Sequence, residues 1–261
     1  MKSIAFHVNA TKDSARAVCE RLSGVARGCG MSVVDATAGN PDAVVVLGGD
    51  GTMLSAVHLF PGIPLLGLNL GSLGYLASVE ETHFDDAIRA LSDGRFIVSR
   101  RTALNVRGVR ALNDVVVSRG VSGHAIRLNF SVDGERVTRF VADGLVIATP
   151  TGSTAYSLAA GGPVLMPTSQ SVVVTPVCPH ALSSRPLVLK DSARMEVSAE
   201  IRGDGDCPAV FADGRPIGVV ADGDALTIEK SADTVPLIEL DGVNQYEILT
   251  RKLGWSGSSF K

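Results

Sequence analysis

The residues best suited to chemistry form a short glycine-rich segment, Gly-Gly-Asp-Gly-Thr at positions 48–52. It follows residues 43–47, an unbroken apolar run typical of a strand buried on both faces. Ligands of open α/β sheets bind at the carboxyl ends of such strands, and glycine lets backbone N–H groups approach phosphate oxygens. A helix that begins near Thr52 would add its positive N-terminal end. Asp50 would then be a carboxylate beside a phosphate site, able to accept a hydroxyl proton or to help hold Mg²⁺.

The structural alternative for Asp50 is that its side chain caps the helix that follows, a position that Asp often takes. Capping needs no glycine on both sides, so the pattern favours the phosphate interpretation. The segment is neither a Walker A loop nor a Gly-x-Gly-x-x-Gly dinucleotide fingerprint. Lipid kinases and phosphofructokinases carry similar turns, so this segment alone indicates a kinase without identifying its substrate.

A second candidate lies at residues 143–157, where a strand leads into a turn rich in Thr, Ser and Gly and then a short helix at 153–160. The turn concentrates hydroxyl groups and N–H donors, and Tyr156 adds a flat face on which a base could stack. The alternative is an ordinary strand–turn–helix link with capping hydroxyls.

A third candidate is the pair Asn113-Asp114 at the start of a predicted strand. An amide beside a carboxylate supplies donors and acceptors for an adenine edge and ribose hydroxyls. As an isolated dipeptide, however, the pair is more typical of a turn.

The elements that must position these residues change in type along the chain. Strands predicted at 4–8, 32–35, 43–47 and 63–68 alternate with helices at 14–26, 52–59 and 83–91, which predicts a parallel sheet with crossover helices. From about residue 96, alternating segments at 111–118, 125–132, 172–177, 194–199 and 225–229 and Asp-Gly turns at 133, 213 and 222 predict a β domain. We therefore expect a Rossmann-like α/β domain at 1–97, a β-rich domain at 98–234 that binds a dinucleotide, and a tail at 235–261 that returns to the first domain.

The composition excludes several classes of protein. A formal net charge of -3 over 261 residues provides no overall field to recruit nucleic acid or an anionic membrane. No run of about 18 apolar residues predicts a membrane span, and the N-terminal apolar stretch is too short for a signal peptide. The four cysteines form no Cys-x-x-Cys pair, so we expect reduced thiols, no metal site and a cytoplasmic location.

The three candidates, taken together and in this order, closely resemble the NAD kinase family, in particular the bacterial ATP-NAD kinases. Residues 67–75, 179–186 (Pro-His-Ala-Leu-Ser-Ser-Arg-Pro) and 252–255 (Lys-Leu-Gly-Trp) resemble further motifs of that family. The resemblance covers nearly the whole chain from residue 43 onward.

This resemblance implies transfer of the terminal phosphoryl group of ATP, with polyphosphate as an alternative donor, to the adenosine-ribose 2′-hydroxyl of NAD, which forms NADP. It implies a divalent cation, Mg²⁺, that accompanies ATP, and no bound prosthetic group. It also implies an α/β N-terminal domain, an all-β C-terminal domain, a cleft between them, and assembly as a homodimer or homotetramer.

The resemblance also assigns roles to individual residues. Asp50 corresponds to the catalytic base. From the glycine-rich turn we expect phosphate binding by Gly48, Gly49 and Thr52. The expected NAD-binding residues are Gly51, Asn113, Asp114, His124, Asp143, Thr154, Ala155, Tyr156, Ser157, Leu158 and Ala159.

Several positions depart from the family pattern. Asp114 stands in place of the usual Glu, Tyr75 replaces a commoner Phe, and Val141 occupies a position where many relatives have Arg. Arg139 lies on the same face of the strand as Val141 by spacing. Two other classes stay open on residue types alone: a lipid or sugar kinase that shares the glycine turn, and a non-catalytic NADP-binding regulator. The retained Asp50 argues against the regulator.

Overall fold

The computed structural model describes residues 1–8, 13–37, 39–71, 74–120, 123–201, 207–241 and 244–255. Two residues of the family-like segment at 67–75, Ser72 and Leu73, lie outside these ranges, as do the last six residues of the expected tail, 256–261. The chain divides into two compact units: residues 1–100 with 235–261, and residues 101–234.

The described residues form strands, α-helices and two short 3-10 helices (Glu81–His83 and Gly152–Thr154). The strands are β1 (Ser3–Val8), β2 (Ser32–Val33), β3 (Ala43–Leu47), β4 (Leu65–Leu68), β5 (Phe96–Arg101), β6 (Leu104–Val106), β7 (Val109–Ala111), β8 (Asp114–Ser118), β9 (Ile126–Val132), β10 (Glu135–Ala142), β11 (Gly144–Ala148), β12 (Ser171–Val177), β13 (Leu187–Lys190), β14 (Met195–Ala199), β15 (Ala209–Ala212), β16 (Arg215–Val219), β17 (Ala225–Lys230) and β18 (Val235–Leu240). The helices are α1 (Asp13–Gly28), α2 (Asp50–Leu59), α3 (Phe84–Asp93), α4 (Tyr156–Ala159) and α5 (Gln245–Leu253).

The first unit is built on one sheet with the strand order β2-β1-β3-β4-β18-β5. β1 pairs in parallel with β2 and β3, and β4 pairs in parallel with β3 and β18. The chain runs outward from β1 to β2 and then returns to the other side of β1 for β3. The carboxyl ends of β1 and β3 therefore flank the point where ligands bind in such sheets.

Apolar side chains explain why this sheet is buried. All five residues of β3 are buried, as expected for a central parallel strand covered by helices. Leu22 of α1 and Phe84, Ile88 and Leu91 of α3 pack with the sheet in one apolar core. Helix α2 contributes Met53, Ala56 and Val57 as its buried residues. This core therefore fixes the position of the carboxyl end of β3, where the glycine-rich turn begins.

The second unit contains two antiparallel sheets, ordered β10-β9-β14-β17-β6-β7 and β13-β12-β11-β8-β15-β16. Phe130 and Met195 of the first sheet and Leu145 and Ile147 of the second belong to one buried core. The two sheets therefore pack face to face as a β-sandwich. The other face of β11 is also buried, through Val146 and its neighbours.

The expected fold class is confirmed: an α/β unit and a unit dominated by antiparallel strands. The sheet of the α/β unit is mixed, with parallel pairings among β1, β2, β3, β4 and β18. The strand at 43–47 agrees residue for residue. The helix expected at 153–160 is divided into a 3-10 turn and α4, because Ala155 has φ -100 and ψ -125, outside the helical region. The pattern missed strands β5, β6, β10, β13, β15, β16 and β18. In β5 and β10, exposed and charged residues obscure the period of a strand.

None of the helices in the described ranges is long and apolar enough to cross a membrane.

Replacing Phe84 tests the core of the first unit. Phe84 is fully buried, so Phe84→Ala should lower the free energy of unfolding by about 3–5 kcal/mol. Leu59→Ala is the control, because Leu59 is 58% exposed on α2 and should change it by less than about 0.5 kcal/mol. Urea denaturation followed by circular dichroism measures both. Equal midpoints for the two variants would contradict the packing of Phe84 in this core.

Candidate active site

The glycine-rich turn leads directly from β3 into α2. The N–H of Gly48 still donates to the carbonyl of Leu68 at 3.0 Å, so this amide belongs to the sheet. A Cβ at Gly48 would lie 2.2 Å from Oγ1 of Thr52, which means that this glycine makes room for Thr52. Gly48 is therefore required by packing inside the turn.

Gly49 and Gly51 have different surroundings from Gly48. A Cβ on either residue would meet no atom within 4 Å among the surroundings that the structure describes. The N–H groups of Asp50 and Gly51 lie in the first turn of α2, where a helix supplies no backbone acceptor. An open surface beside unpaired helix N–H groups suits an anion such as phosphate.

The carboxylate of Asp50 accepts three backbone hydrogen bonds from one segment. Oδ2 accepts from the N–H of Tyr75 at 2.9 Å, and Oδ1 accepts from those of Leu76 at 2.9 Å and Ala77 at 3.0 Å. We call these three N–H groups the amide cluster. The N-cap of α2 is Gly49, which has no side chain to cap with. The interpretation of Asp50 as a helix cap is therefore wrong.

The amide cluster reaches Asp50 because Gly74 has no side chain. A Cβ at Gly74 would lie 2.1 Å from Oδ1 of Asp50. The segment is fixed at its ends by bonds from the N–H of Gly74 to Ala77 O (3.0 Å) and from the N–H of Asn69 to Val79 O (2.9 Å). A carboxylate offers about four acceptor sites, so Asp50 is held by three charge-assisted bonds and keeps capacity on Oδ2 for one more donor.

The side chain of Tyr75 lies near the same carboxylate. Burial raises the pKa of the Tyr75 phenol, and the negative charge of Asp50 raises this pKa further. The phenol therefore stays neutral at physiological pH and retains its proton as a hydrogen-bond donor.

In the second unit, another carboxylate organises the Asn113-Asp114 pair. Asp213 accepts from the N–H groups of Leu112 (2.8 Å), Asn113 (2.7 Å) and Asp114 (3.2 Å). Asp213 has φ +48 and opens the Asp-Gly turn that the sequence marks. The turn was visible in the sequence, but the role of its carboxylate was not.

The threonine- and glycine-rich turn packs against the same pair. Oγ1 of Thr149 donates to Leu112 O at 2.6 Å, and its N–H donates to Asn113 O at 2.9 Å. A Cβ at Gly152 would lie 2.0 Å from Asn113 O, so only glycine permits this approach. The second and third sequence candidates thus form one cluster in the structure.

Asp114 is only 6% exposed. Burial raises the pKa of Asp114 to about 7, with a smaller contribution from the negative charge of Asp213. Near neutral pH this carboxyl therefore changes between a hydrogen-bond donor and an acceptor.

The residues expected to line the dinucleotide site differ in exposure. Tyr156 is 46% exposed, so its ring is available to a ligand. Ser157 is buried, and its Oγ lies 2.8 Å from Oγ1 of Thr175. Oγ1 of Thr154 donates to Thr151 O at 3.2 Å. The remaining residues of this stretch are exposed or partly exposed: Ala155, Leu158 and Ala159.

Asp143 lies at the other end of β11 from Asn113 and Asp114. In the antiparallel pairing of β11 with β8, Gly144 faces Ser118 and Ala148 faces Asp114. The five-residue rise along β11 separates Asp143 from the Asp114 end by about 17 Å. The expected NAD-binding residues of this unit therefore form two groups, one at each end of β11.

Arg119 connects Asp143 with the segment that carries His124. Its N–H donates to Asp143 O at 3.0 Å, and Nη1 lies 3.3 Å from Oδ1 of Asp143. Nη1 also donates at 3.2 Å to the carbonyl of Gly123, which precedes the exposed His124. Arg139, which spacing places on the same face of its strand as Val141, pairs with Glu200 at 3.4 Å. Nothing in the residue pattern distinguished Arg119 in advance.

The sheet with its glycine-rich turn, the fixed carboxylate and the sandwich that carries Asn113 and the buried Asp114 are the features expected of a nucleotide-dependent phosphotransferase. Residues 29–96 match the model of the ATP-NAD kinase N-terminal domain, and residues 112–240 match that of the ATP-NAD kinase C-terminal domain. The NAD kinase of Gemmatimonas aurantiaca is 40% identical over 233 residues, which cover 84% of this chain and 79% of that protein. The NAD kinase of Thiobacillus denitrificans is 40% identical over 225 residues, covering 82% and 77%.

Two solved structures are similar to the whole chain. An NAD kinase from Archaeoglobus fulgidus in complex with ATP has a TM-score of 0.83 at 26% identity and covers 97% of this chain and 99% of that chain. Yeast NADH kinase complexed with NADH has a TM-score of 0.87 at 24% identity, with coverages of 100% and 89%, and shares the fold. The chain therefore belongs to the NAD kinase family, and it is a kinase that phosphorylates NAD.

The raised pKa of Asp114 predicts a dependence of stability on pH. The pKa of Asp114 is about 7 in the folded protein, above the value of about 3.9 for an unfolded Asp, so the folded state holds this proton more tightly. This tighter binding of the proton contributes fully to the free energy of unfolding below about pH 4, and the contribution is lost as the pH rises through about 7.

Asp114→Asn should remove this decline in the free energy of unfolding with rising pH, which is on the order of a few kcal/mol. Urea denaturation of wild type and variant between about pH 4 and about pH 8 measures the difference. Asp222→Asn is the control, because Asp222 is an exposed turn residue of the same unit. Curves for wild type and Asp114→Asn that stay parallel over this range would show that burial does not control this carboxyl.

Proposed function

We propose that Asp50 accepts the proton of the adenosine-ribose 2′-hydroxyl of NAD while that oxygen attacks the terminal phosphorus of ATP. The supporting observation is the carboxylate of Asp50, held by three backbone N–H groups beside an open glycine turn. Membership of the NAD kinase family supplies the two substrates.

The reaction forms one bond and breaks one. The ribose 2′-oxygen bonds to the terminal phosphorus, the bond from that phosphorus to its bridging oxygen breaks, and ADP leaves. Phosphoryl transfer has a loose transition state with little need for early deprotonation. The free acceptor site on Oδ2 of Asp50 orients the hydroxyl and receives its proton late. Asp50 is thus a general base that acts mainly by orienting the nucleophile.

The donor phosphates bind at the start of α2. The N–H groups of Asp50 and Gly51 and the open surface of Gly49 supply donors and space. Gly48 acts through packing, because its own N–H is bonded within the sheet, and Thr52 lines the turn. Polyphosphate presents the same kind of anion, so it is an alternative donor at this surface.

Mg²⁺ is the cation proposed to accompany ATP. Three oxygen acceptor sites of Asp50 are already bonded to N–H groups, so phosphate oxygens fit as the main ligands of the cation better than this carboxylate does. Bound there, the cation would offset phosphate charge. The site thus needs no resident prosthetic group.

The second unit binds the dinucleotide. Asn113 and Asp114 contact the adenosine, and the exposed ring of Tyr156 and residues 154–159 pack along the ligand. Asp143 and His124 contact the nicotinamide end. The separation of about 17 Å along β11 is one that an extended dinucleotide spans, which supports this assignment.

Two properties of the whole protein complete the proposal. We place it in the cytoplasm, since all four cysteines are free thiols, as a reducing compartment maintains. We also propose a homodimer or homotetramer. Edge strands with exposed apolar residues, Val188 of β13 at 47% and Val219 of β16 at 45% exposed, support assembly. Light scattering after gel filtration gives the number of subunits.

Asp50→Asn tests the base. The variant should lower kcat about 10²–10⁴-fold and leave the Kd for NAD unchanged, since a general base contributes this much. NADP formation from NAD, ATP and Mg²⁺ and calorimetric titration with NAD measure the two quantities. Asp42→Asn is the matched control, because Asp42 also accepts backbone N–H bonds, from Lys2 (2.7 Å) and Ser3 (2.9 Å), at the opposite end of β3. Near-normal turnover by Asp50→Asn would refute the proposed role.

Gly49→Ala tests the phosphate surface. The added methyl meets nothing within 4 Å in the protein, and φ of Gly49 is -100, so the fold should accept it. It should nevertheless raise the KM for ATP about tenfold, because a Cβ blocks the approach of phosphate to the backbone. Gly24→Ala, equally unobstructed but inside α1, should leave this KM unchanged. If Gly49→Ala behaves like Gly24→Ala, the donor phosphates bind elsewhere.

A further inference from the structure

The C-terminal helix α5 is attached to its unit by polar contacts. None of its residues from Gln245 to Leu253 is buried. A cavity of about 480 Å³, lined in part by Ile248 of α5 and Ala87 and Ala90 of α3, lies beside it. Gln245 Nε2 donates to Glu239 Oε1 at 2.8 Å at the start of the helix. Without an apolar core beneath it, the helix is positioned by a small set of side-chain interactions.

Two of these interactions reach the segment that holds Asp50. The Nζ of Lys252 lies 5.6 Å from the centre of the Tyr75 ring, within range of a cation–π interaction. The Nη1 of Arg251 lies 2.8 Å from Oε1 of Glu80. Tyr75 and Glu80 bound the segment that carries the amide cluster. The last turn of α5 therefore contacts this segment at both of its ends.

Tyr75 connects the helix directly to the carboxylate. Its ring interacts with Lys252, and its own N–H donates to Oδ2 of Asp50, the oxygen that keeps an acceptor site for a further donor. The ring is also close enough to Asp50 for the charge of this carboxylate to raise the pKa of the phenol. Because the ring and this N–H belong to one residue, a shift of the Tyr75 backbone after loss of the Lys252 contact would move the N–H that orients Oδ2.

We propose that Lys252 and Arg251 are positioning residues for the reaction, which hold the amide cluster, through Tyr75 and Glu80, in the orientation that aligns the Asp50 carboxylate with the acceptor hydroxyl. This inference rests on the proposed function only in that Asp50 receives the hydroxyl proton.

The expected effect falls on catalysis and not on folding. Exposed ion pairs and cation–π contacts contribute little to global stability, and both cations are exposed. Small displacements of a catalytic group, however, reduce the rate of the chemical step strongly. Loss of these contacts should therefore lower kcat while the KM for NAD and the unfolding midpoint stay the same.

The kinetic test uses substitutions on both sides of the contact. Lys252→Gln should lower kcat about threefold, the size of a weak cation–π interaction, and the double variant Lys252→Gln with Arg251→Gln about tenfold. Lys252→Arg should keep near wild-type kcat, because a guanidinium also binds an aromatic face. Tyr75→Ala should behave like Lys252→Gln or worse.

The matched control is Arg89→Gln. Arg89 is an exposed cation of the same unit, and its partner Asp86, at 3.2 Å, lies on the same helix. This variant should show wild-type kcat. A double variant at positions 251 and 252 with kcat equal to that of Arg89→Gln would overturn the inference.

A second measurement keeps this inference separate from the role of Asp50. The backbone amide signals of Tyr75, Leu76 and Ala77 in ¹⁵N NMR spectra report their bonds to the carboxylate without any turnover. Asp50→Asn should shift all three, and the double variant should shift them in the same direction and speed their hydrogen exchange. Unchanged signals in the double variant would refute the inference even if Asp50→Asn abolishes turnover. Turnover retained by Asp50→Asn would instead refute the catalytic role.

Discussion

Three backbone N–H groups, those of Tyr75, Leu76 and Ala77, converge on the carboxylate of Asp50. The rest of the candidate active site depends on this interaction, because it determines where the carboxylate oxygens point at the start of α2. It requires β3 and β4 to lie side by side, so that the turns after both strands meet at one edge of the sheet. It also requires Gly74, since any side chain there would overlap the carboxylate. The sheet thus serves to bring one side chain to three amides.

The second unit uses the same interaction for another purpose. Asp213 accepts N–H bonds from residues 112–114 and so fixes the backbone that presents Asn113 and Asp114. In the first unit the carboxylate is the group held in place, whereas in the second the carboxylate holds the backbone. The cost of the second arrangement is a like charge near Asp114, which together with burial raises the pKa of Asp114. Burial is the larger cause of the raised pKa of Asp114, and the charge of the acidic turn beneath this residue is the smaller one.

The glycines of the two turns divide into those that permit packing and those that leave space. Gly48 and Gly152 lie against Thr52 and Asn113, where a methyl group would overlap existing atoms. Gly49 and Gly51 face no neighbouring atom of the described chain. The first kind is explained by the folded protein itself, whereas the second is understandable if a ligand occupies the space. One run of glycines therefore combines a structural requirement with the proposed requirement for phosphate binding, and the two look identical in the sequence.

The amino-acid sequence by itself determined the features that depend on neighbouring residues. The apolar run at 43–47 predicted β3, and the Asp-Gly pairs predicted turns, because strand burial and turn conformation are local properties. Three motifs in order were enough to indicate the family and its fold. Only the tertiary structure decided which partners the candidate residues have. Asp50 meets amides 25 to 27 positions away, and Asp213 meets Asn113 across 100 positions. The pairing of Asp143 with Arg119, and not with Arg139, likewise follows from the register of β8 on β11. Such contacts depend on sheet order and strand register, which are set by the packing of the whole unit and leave no pattern in the residues around either partner.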